Sequence, residues 1–136
     1  MDKTIAHLGF IQGIITRMGT NSFLLKGWSV TLVAAMFALA VKDADKRFML
    51  ISYFPIFVFW ALDGFFLHQE KLFRKLYEGV ASGQVPSDVF TLNTSIVRGD
   101  VPSMLSVTFS KTLLPFHGAI LLIVLFAMFV LAAPCR

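Results

Sequence analysis

The stretch from Phe48 to Val80 constrains this chain more than any other. It begins as FMLISYFPIFVFWALDGFF, Phe48 to Phe66, close to the roughly 20 apolar residues a helix needs to cross a bilayer core. It then runs without a break into LHQEKLFRKLYEGV, Leu67 to Val80, where Phe73, Leu76, Tyr77 and Val80 alternate with charge at helical spacing. A helix of this kind spans lipid and then projects into water. Pro55, near the middle of the apolar part, is expected to kink it or free a carbonyl. Gly79, Ser82-Gly83 and Pro86 supply its stop signals.

A chain of 136 residues has room for one domain. Its composition is 57% hydrophobic against 15% charged, with a mean hydropathy of +0.76, more apolar surface than a small soluble core can hide. The net charge of +4 comes from 12 basic and 8 acidic residues, the basic ones flanking apolar runs. That pattern suits anionic lipid head groups and not nucleic acid, which calls for a concentrated basic face. The single cysteine, Cys135, excludes an internal disulfide and a thiolate metal cluster.

The sequence therefore predicts an all-α integral membrane protein with an N-terminal amphipathic interfacial helix and three transmembrane helices, the second extending into the cytoplasm. Residues 1–19 form the amphipathic helix: Ile5, Leu8, Ile11, Ile15 and Met18 recur at three- and four-residue steps, and Asp2 is a plausible N-cap. This segment lacks the continuous apolar centre of a signal peptide. A joint at Gly19-Thr20-Asn21-Ser22 lets it lie in the interface plane, and Gly9 and Gly13 form a GxxxG pair. Residues 23–41 are the first span, with Lys26 snorkelling, Trp28 in the aromatic belt, and Ala34 and Ala38 as a small-residue pair. A KDADKR hairpin, Lys42 to Arg47, leads to the second span, 48–67, which continues as a cytoplasmic helix to about 81. Residues 82–110 are a polar connector, read as a short helix, an extended pair or a lid, with Ser103 to Ser110 starting a helix that runs into the third span, 113–133. Pro115 fits only in that helix's first turn or at a kink. Eight basic residues fall on the N-terminal and connector side against four on the other, which places the N-terminus in the cytoplasm and the C-terminus outside.

Asp63 is the most expensive residue in this scheme, a carboxylate among Phe59, Trp60, Phe65 and Phe66 that demands a partner or water. The topology puts Lys26, Asp63 and His117 at one level, as a polar layer that is either a structural ion pair or a pore mouth. Trp28 and Trp60 are expected as interface anchors, and Glu70, Phe73, Arg74 and Tyr77 as a contact surface for a partner or a second subunit, with Glu70–Arg74 and Arg74–Glu78 as i,i+4 pairs. His7, His68 and His117 lack metal-site spacing, and neither a catalytic motif nor a cofactor signature is present.

NSFLLKGWSVTLVAAMFAL from Asn21 to Leu39, FPIFVFWALDGFFLHQEKLFRKLY from Phe54 to Tyr77, and the SKT…PFH lead-in from Ser110 to His117 together resemble a family of small bacterial three-span membrane proteins. Its pattern is Asn-Ser-Phe-x-x-Lys-Gly-Trp, then Phe-Trp-x-Leu-Asp, then Glu-x-x-(Phe/Tyr)-Arg-x-Leu-Tyr. The match covers most of the chain outside the 82–102 connector. By position Lys26, Trp28, Trp60, Asp63, Glu70, Arg74 and Tyr77 are its motif residues. The resemblance implies the bacterial inner membrane, accessory or anti-phage loci, and a membrane-perturbing or channel-type effector.

Three readings stay open at this level. The first is a homo-oligomeric pore, since three such spans cannot enclose a polar path in one subunit; its polar line would be Ser29, Thr31, Ser52, Tyr53, Asp63 and His117. The second is a non-conducting anchor or regulatory subunit holding a cytoplasmic protein partner. The third is a membrane enzyme, similar in outline to the small three-span diacylglycerol kinases but short of the carboxylates that hold magnesium. Cys135, on the outer side, is a candidate for an intermolecular disulfide.

Overall fold

A computed structural model describes residues 2–43, 47–86 and 90–132, with side chains to residue 130. Ala44 to Lys46 of the hairpin, Asp88 of the connector, and Ala133 to Arg136 with Cys135 lie outside the described residues. The regular secondary structure among the described residues is all helical, without a strand. Helix α1 is Asp2–Asp43, α2 is Arg47–Ala81, a 3-10 helix covers Ser95–Asp100, α3 is Met104–Thr108, and α4 is Leu114–Ala132.

Helices α1 and α2 form a long antiparallel hairpin, each long and apolar enough to cross a membrane, with α4 as a shorter apolar helix. Their apolar windows are only 17% and 28% buried within the protein. The core helix of a soluble domain would cover most of that surface; here it is left for another solvent. At 1.5 Å per residue, α1's 42 residues reach about 63 Å. A layer of about 30 Å holds half of that length, so the outer half of each hairpin arm must lie beyond it.

This corrects the expected joint at Gly19 to Ser22. Those four residues are helical, and α1 runs through them as one rod. The N-terminal amphipathic stripe finds part of its apolar partner within the protein. Ile11 and Ile15 are buried with Leu76, Val80, Val85 and Val97, and Leu8, Phe73 and Tyr77 pack against them. The stripe's apolar partner is the outer half of α2 and the connector, because a helix continuous with its neighbour's partner buries its seam there first. Gly9 and Gly13 face open space.

The connector folds onto this outer half. Gly83, at φ +82°, provides the left-handed turn that stops α2, and Val85 N–H returns to the Gly79 carbonyl at 3.0 Å. His7 Nε2 lies 2.6 Å from the Thr91 carbonyl, and Phe90 packs edge-on to His7 and Phe10. At the other end Val33, Ala40, Met49, Ile56, Ile120, Val124 and Ala127 make a dry second core between α1, α2 and α4.

Ser103 to Ser110 does not lead straight into the last apolar helix. A turn over Phe109 to Leu113 separates α3 from α4, and α4 starts at Leu114 with Pro115 in its first turn, where the missing N–H costs nothing. Pro55 is accommodated within α2, which continues on both sides of it.

Candidate functional site

Asp63, on α2, is fully buried. Its neighbours arrive from two other helices. On α1, Ser22 and Lys26 are one turn apart on the face turned to α2, and on α4 His117 stands in the first turn. The Ser22 hydroxyl donates to Asp63 Oδ1. Lys26 Nζ lies 2.6 Å from Oδ2, and also donates to Ser22 Oγ at 2.9 Å. His117 Nε2 donates to the same Oδ2 at 2.8 Å. The carboxylate thus receives three donors and one formal positive charge, the satisfaction a buried ion requires.

The depth of this cluster follows from counting turns. Sixteen residues separate Lys26 from Lys42 and Arg47 from Asp63, about 24 Å along each helix. The cluster sits near the far edge of an apolar layer of about 30 Å from the hairpin end. Lys26 remains 23% exposed at its side chain, with its ammonium 5.9 Å from the Phe116 ring centre, so it reaches outward while its charge faces Asp63.

An aromatic layer closes the cluster. Trp60, one turn from Asp63 and on the same face of α2, stacks on His117 at 5.6 Å and 12°, and its indole N–H donates to the Thr108 carbonyl at 2.8 Å. Phe116 stands edge-on to His117. Gly64 lets α3 approach: a Cβ there would meet Thr108, whose Cα would be 3.2 Å away. One constellation therefore ties α1, α2, α3 and α4 together.

The structure brings Lys26, Asp63 and His117 into one contact set, with Ser22 as a fourth member that sequence reasoning had assigned to a joint. The signal was present, since Ser22 and Lys26 are i,i+4 and face the same way only if the helix is continuous. Trp60 is a correction. It is largely buried, and its indole N–H is hydrogen-bonded to the Thr108 carbonyl within the protein and not left for the head-group level, because its place one turn from Asp63 turns it inward. Trp28 is 60% exposed and faces outward.

The proposed contact surface on α2 is also revised. Phe73 and Tyr77 pack against the outer core and are half-buried there, so part of each ring is already in contact within the protein. Glu70 pairs with Arg74 at 2.9 Å, and Glu78 pairs with Lys75 at 3.2 Å where the spacing had suggested Arg74. Beside them lies a cleft of about 670 Å³ lined by Lys75, Glu78, Ser82, Gln84, Ile96 and Asp100 among others.

Chemically, a carboxylate saturated by three donors is a poor base or nucleophile and a good structural tie. Three further buried atoms, His117 Nδ1, Ser29 Oγ and Ser110 Oγ, have no hydrogen-bond partner among the described residues. No group of three or more His, Cys, Asp and Glu among the described residues is arranged to hold a metal ion. Comparison with family models, with curated proteins and with solved structures returned no match.

Proposed function

We propose that this chain is a three-span protein of the bacterial inner membrane, N-terminus cytoplasmic and C-terminus outside, which acts as a non-conducting anchor whose cytoplasmic head holds a soluble protein. The observation that carries this reading is the direction of the polar side chains. Of the six residues a conducting path would draw on, Ser29, Ser52, Asp63 and His117 are buried within the subunit. Tyr53 is half-buried with its hydroxyl on Met128 Sδ, and Thr31 returns its hydroxyl to the Gly27 carbonyl. A ring of such subunits presents to its axis a surface with almost nothing to replace an ion's hydration shell.

The level of His117 beside Asp63 supports α4 as a third span, since both helices then begin and end at the same depths. The excess of basic residues on the head side supports its cytoplasmic placement. The head itself is an ordered platform, made of the outer halves of α1 and α2 and the connector, and its mixed-charge cleft is of a size and polarity suited to a polypeptide segment.

Reconstitution into liposomes tests the first half: ion flux at the level of protein-free vesicles is the expected result, and a sustained flux altered by Asp63→Asn overturns it. A photo-crosslinking residue at Gln84 in cells tests the second, with a single discrete protein adduct expected there and none from the same residue at Phe126.

The homo-oligomeric pore, or membrane-perturbing effector of an accessory or anti-phage locus, is the second reading. It draws on the outward position of Ala34, Ala38, Gly9 and Gly13, which lets another copy approach α1 closely. A closed ring of subunits in nanodiscs favours it over the anchor.

A further inference from the structure

The connector's last element, α3, is placed where a soluble loop has no reason to be. Trp60 holds the Thr108 carbonyl and Gly64 admits Thr108 against α2, so α3 is pinned at the level of the ion cluster. The charges of the head, Lys71, Arg74 and Lys75, lie two or more turns further along α2. At this depth α3 buries Val107 and leaves Met104, Leu105 and Phe109 uncovered, Leu105 by 74%.

These side chains and α2 enclose a groove of about 290 Å³ lined by Phe57, Trp60, Ala61, Met104, Leu105 and Phe109, nearly all apolar atoms. The groove opens onto the uncovered face of α2, where Phe54, Phe57, Val58 and Phe65 are exposed. Surface of that kind, continuous with the apolar wall of a long membrane-crossing helix, faces lipid and not an aqueous partner.

Backbone at such a depth is tolerated only when its polar groups are satisfied internally. Much of that satisfaction is present: Ser103 Oγ accepts from the Ser106 N–H, the Val107 and Phe109 N–H groups donate to the Ser103 and Leu105 carbonyls, the Ser110 N–H donates to the Val107 carbonyl, the Thr108 hydroxyl donates to the Met104 carbonyl, and the Trp60 indole N–H donates to the Thr108 carbonyl, while the buried Ser110 hydroxyl has no partner among the described residues. Lys111 follows at once and is exposed, placed to reach the phosphate level while its stem stays in the apolar layer.

We propose that α3 lies in the cytoplasmic leaflet and that the groove between it and α2 takes the acyl chain of a phospholipid. The inference rests on the membrane reading above. In a Cys135→Ser background, nitroxides at Leu105→Cys and Phe109→Cys in liposomes are compared with Phe126→Cys in α4 and Ile96→Cys in the head. Leu105 and Phe109 are expected to collide with oxygen more than with a water-soluble nickel chelate, as Phe126 does, and Ile96 to show the reverse. Nickel-dominated collisions at Leu105 and Phe109, with Phe126 still in lipid, overturn the proposal and leave the membrane reading standing; nickel-dominated collisions at Phe126 as well overturn both. For the groove, Trp28→Phe leaves Trp60 as the sole tryptophan. Quenching of Trp60 by phospholipid brominated in its acyl chains is expected, and an unquenched Trp60 removes the lipid from the groove.

Discussion

Replacing Asp63 with leucine removes the carboxylate that receives Ser22, Lys26 and His117. Breaking a buried ion pair by deleting one partner costs about 3–5 kcal/mol, because the other charge is stranded. The stranded ammonium here is 23% exposed and can turn to head groups, which puts Asp63→Leu near the lower bound. A loss of about 3 kcal/mol is more than a hundredfold in the unfolding equilibrium. Lys26→Met strands instead a carboxylate with no exposure at all, though two donors remain, and belongs nearer the upper bound. The double variant Lys26→Met/Asp63→Leu removes both charges and retains apolar volume, so it is expected to be more stable than either single variant. The assay is reversible unfolding in mild detergent titrated with SDS, followed by circular dichroism. Single variants within about 1 kcal/mol of the native protein, or effects that simply add in the double variant, would refute the argument that the cluster is a desolvated unit.

Gly64→Ala drives a methyl into Thr108 and is expected to cost about 1–3 kcal/mol, with Thr108→Ala recovering part of it by removing the nearest atom; the same SDS titration reads both. Trp60→Phe keeps the ring on His117 but loses the indole bond to Thr108, an expected loss of about 1–3 kcal/mol accompanied by faster amide exchange in α3. Ile11→Ala opens a cavity in the outer core at about 2–5 kcal/mol, and exchange across residues 90–100 should rise with it, since Val97 packs on the same cluster. Arg74→Ala, by contrast, removes an exposed ion pair, with an expected change in thermal midpoint corresponding to less than about 1 kcal/mol.

Much of this arrangement was legible in the residues. The apolar run from Phe48 to Phe66, its charged continuation to Val80 and the isolated cost of Asp63 follow from composition and spacing, because lipid solvation and helical periodicity act on local stretches. The level shared by Lys26, Asp63 and His117 followed from counting residues between turns. The part that could not be read concerned which faces meet. Gly19 to Ser22 resembles a joint until the outer half of α2 is there to bury Ile11 and Ile15 beside it, and then helix is the cheaper state. Trp60 carries the composition of an interface anchor, but its partner is the Thr108 carbonyl, 48 residues away.

Composition and spacing alone establish that the chain has helices suited to lipid, that their polar side chains are few, and that one carboxylate among them needs compensation. Packing across the chain sets the rest: the compensation comes from two other helices at once, Ser29, Ser52, Asp63 and His117 turn inward, and Phe73 and Tyr77 are half-buried against the outer core. The reason is that hydropathy is a property of each residue, whereas satisfaction of a buried charge depends on which donors the packing delivers within hydrogen-bond distance.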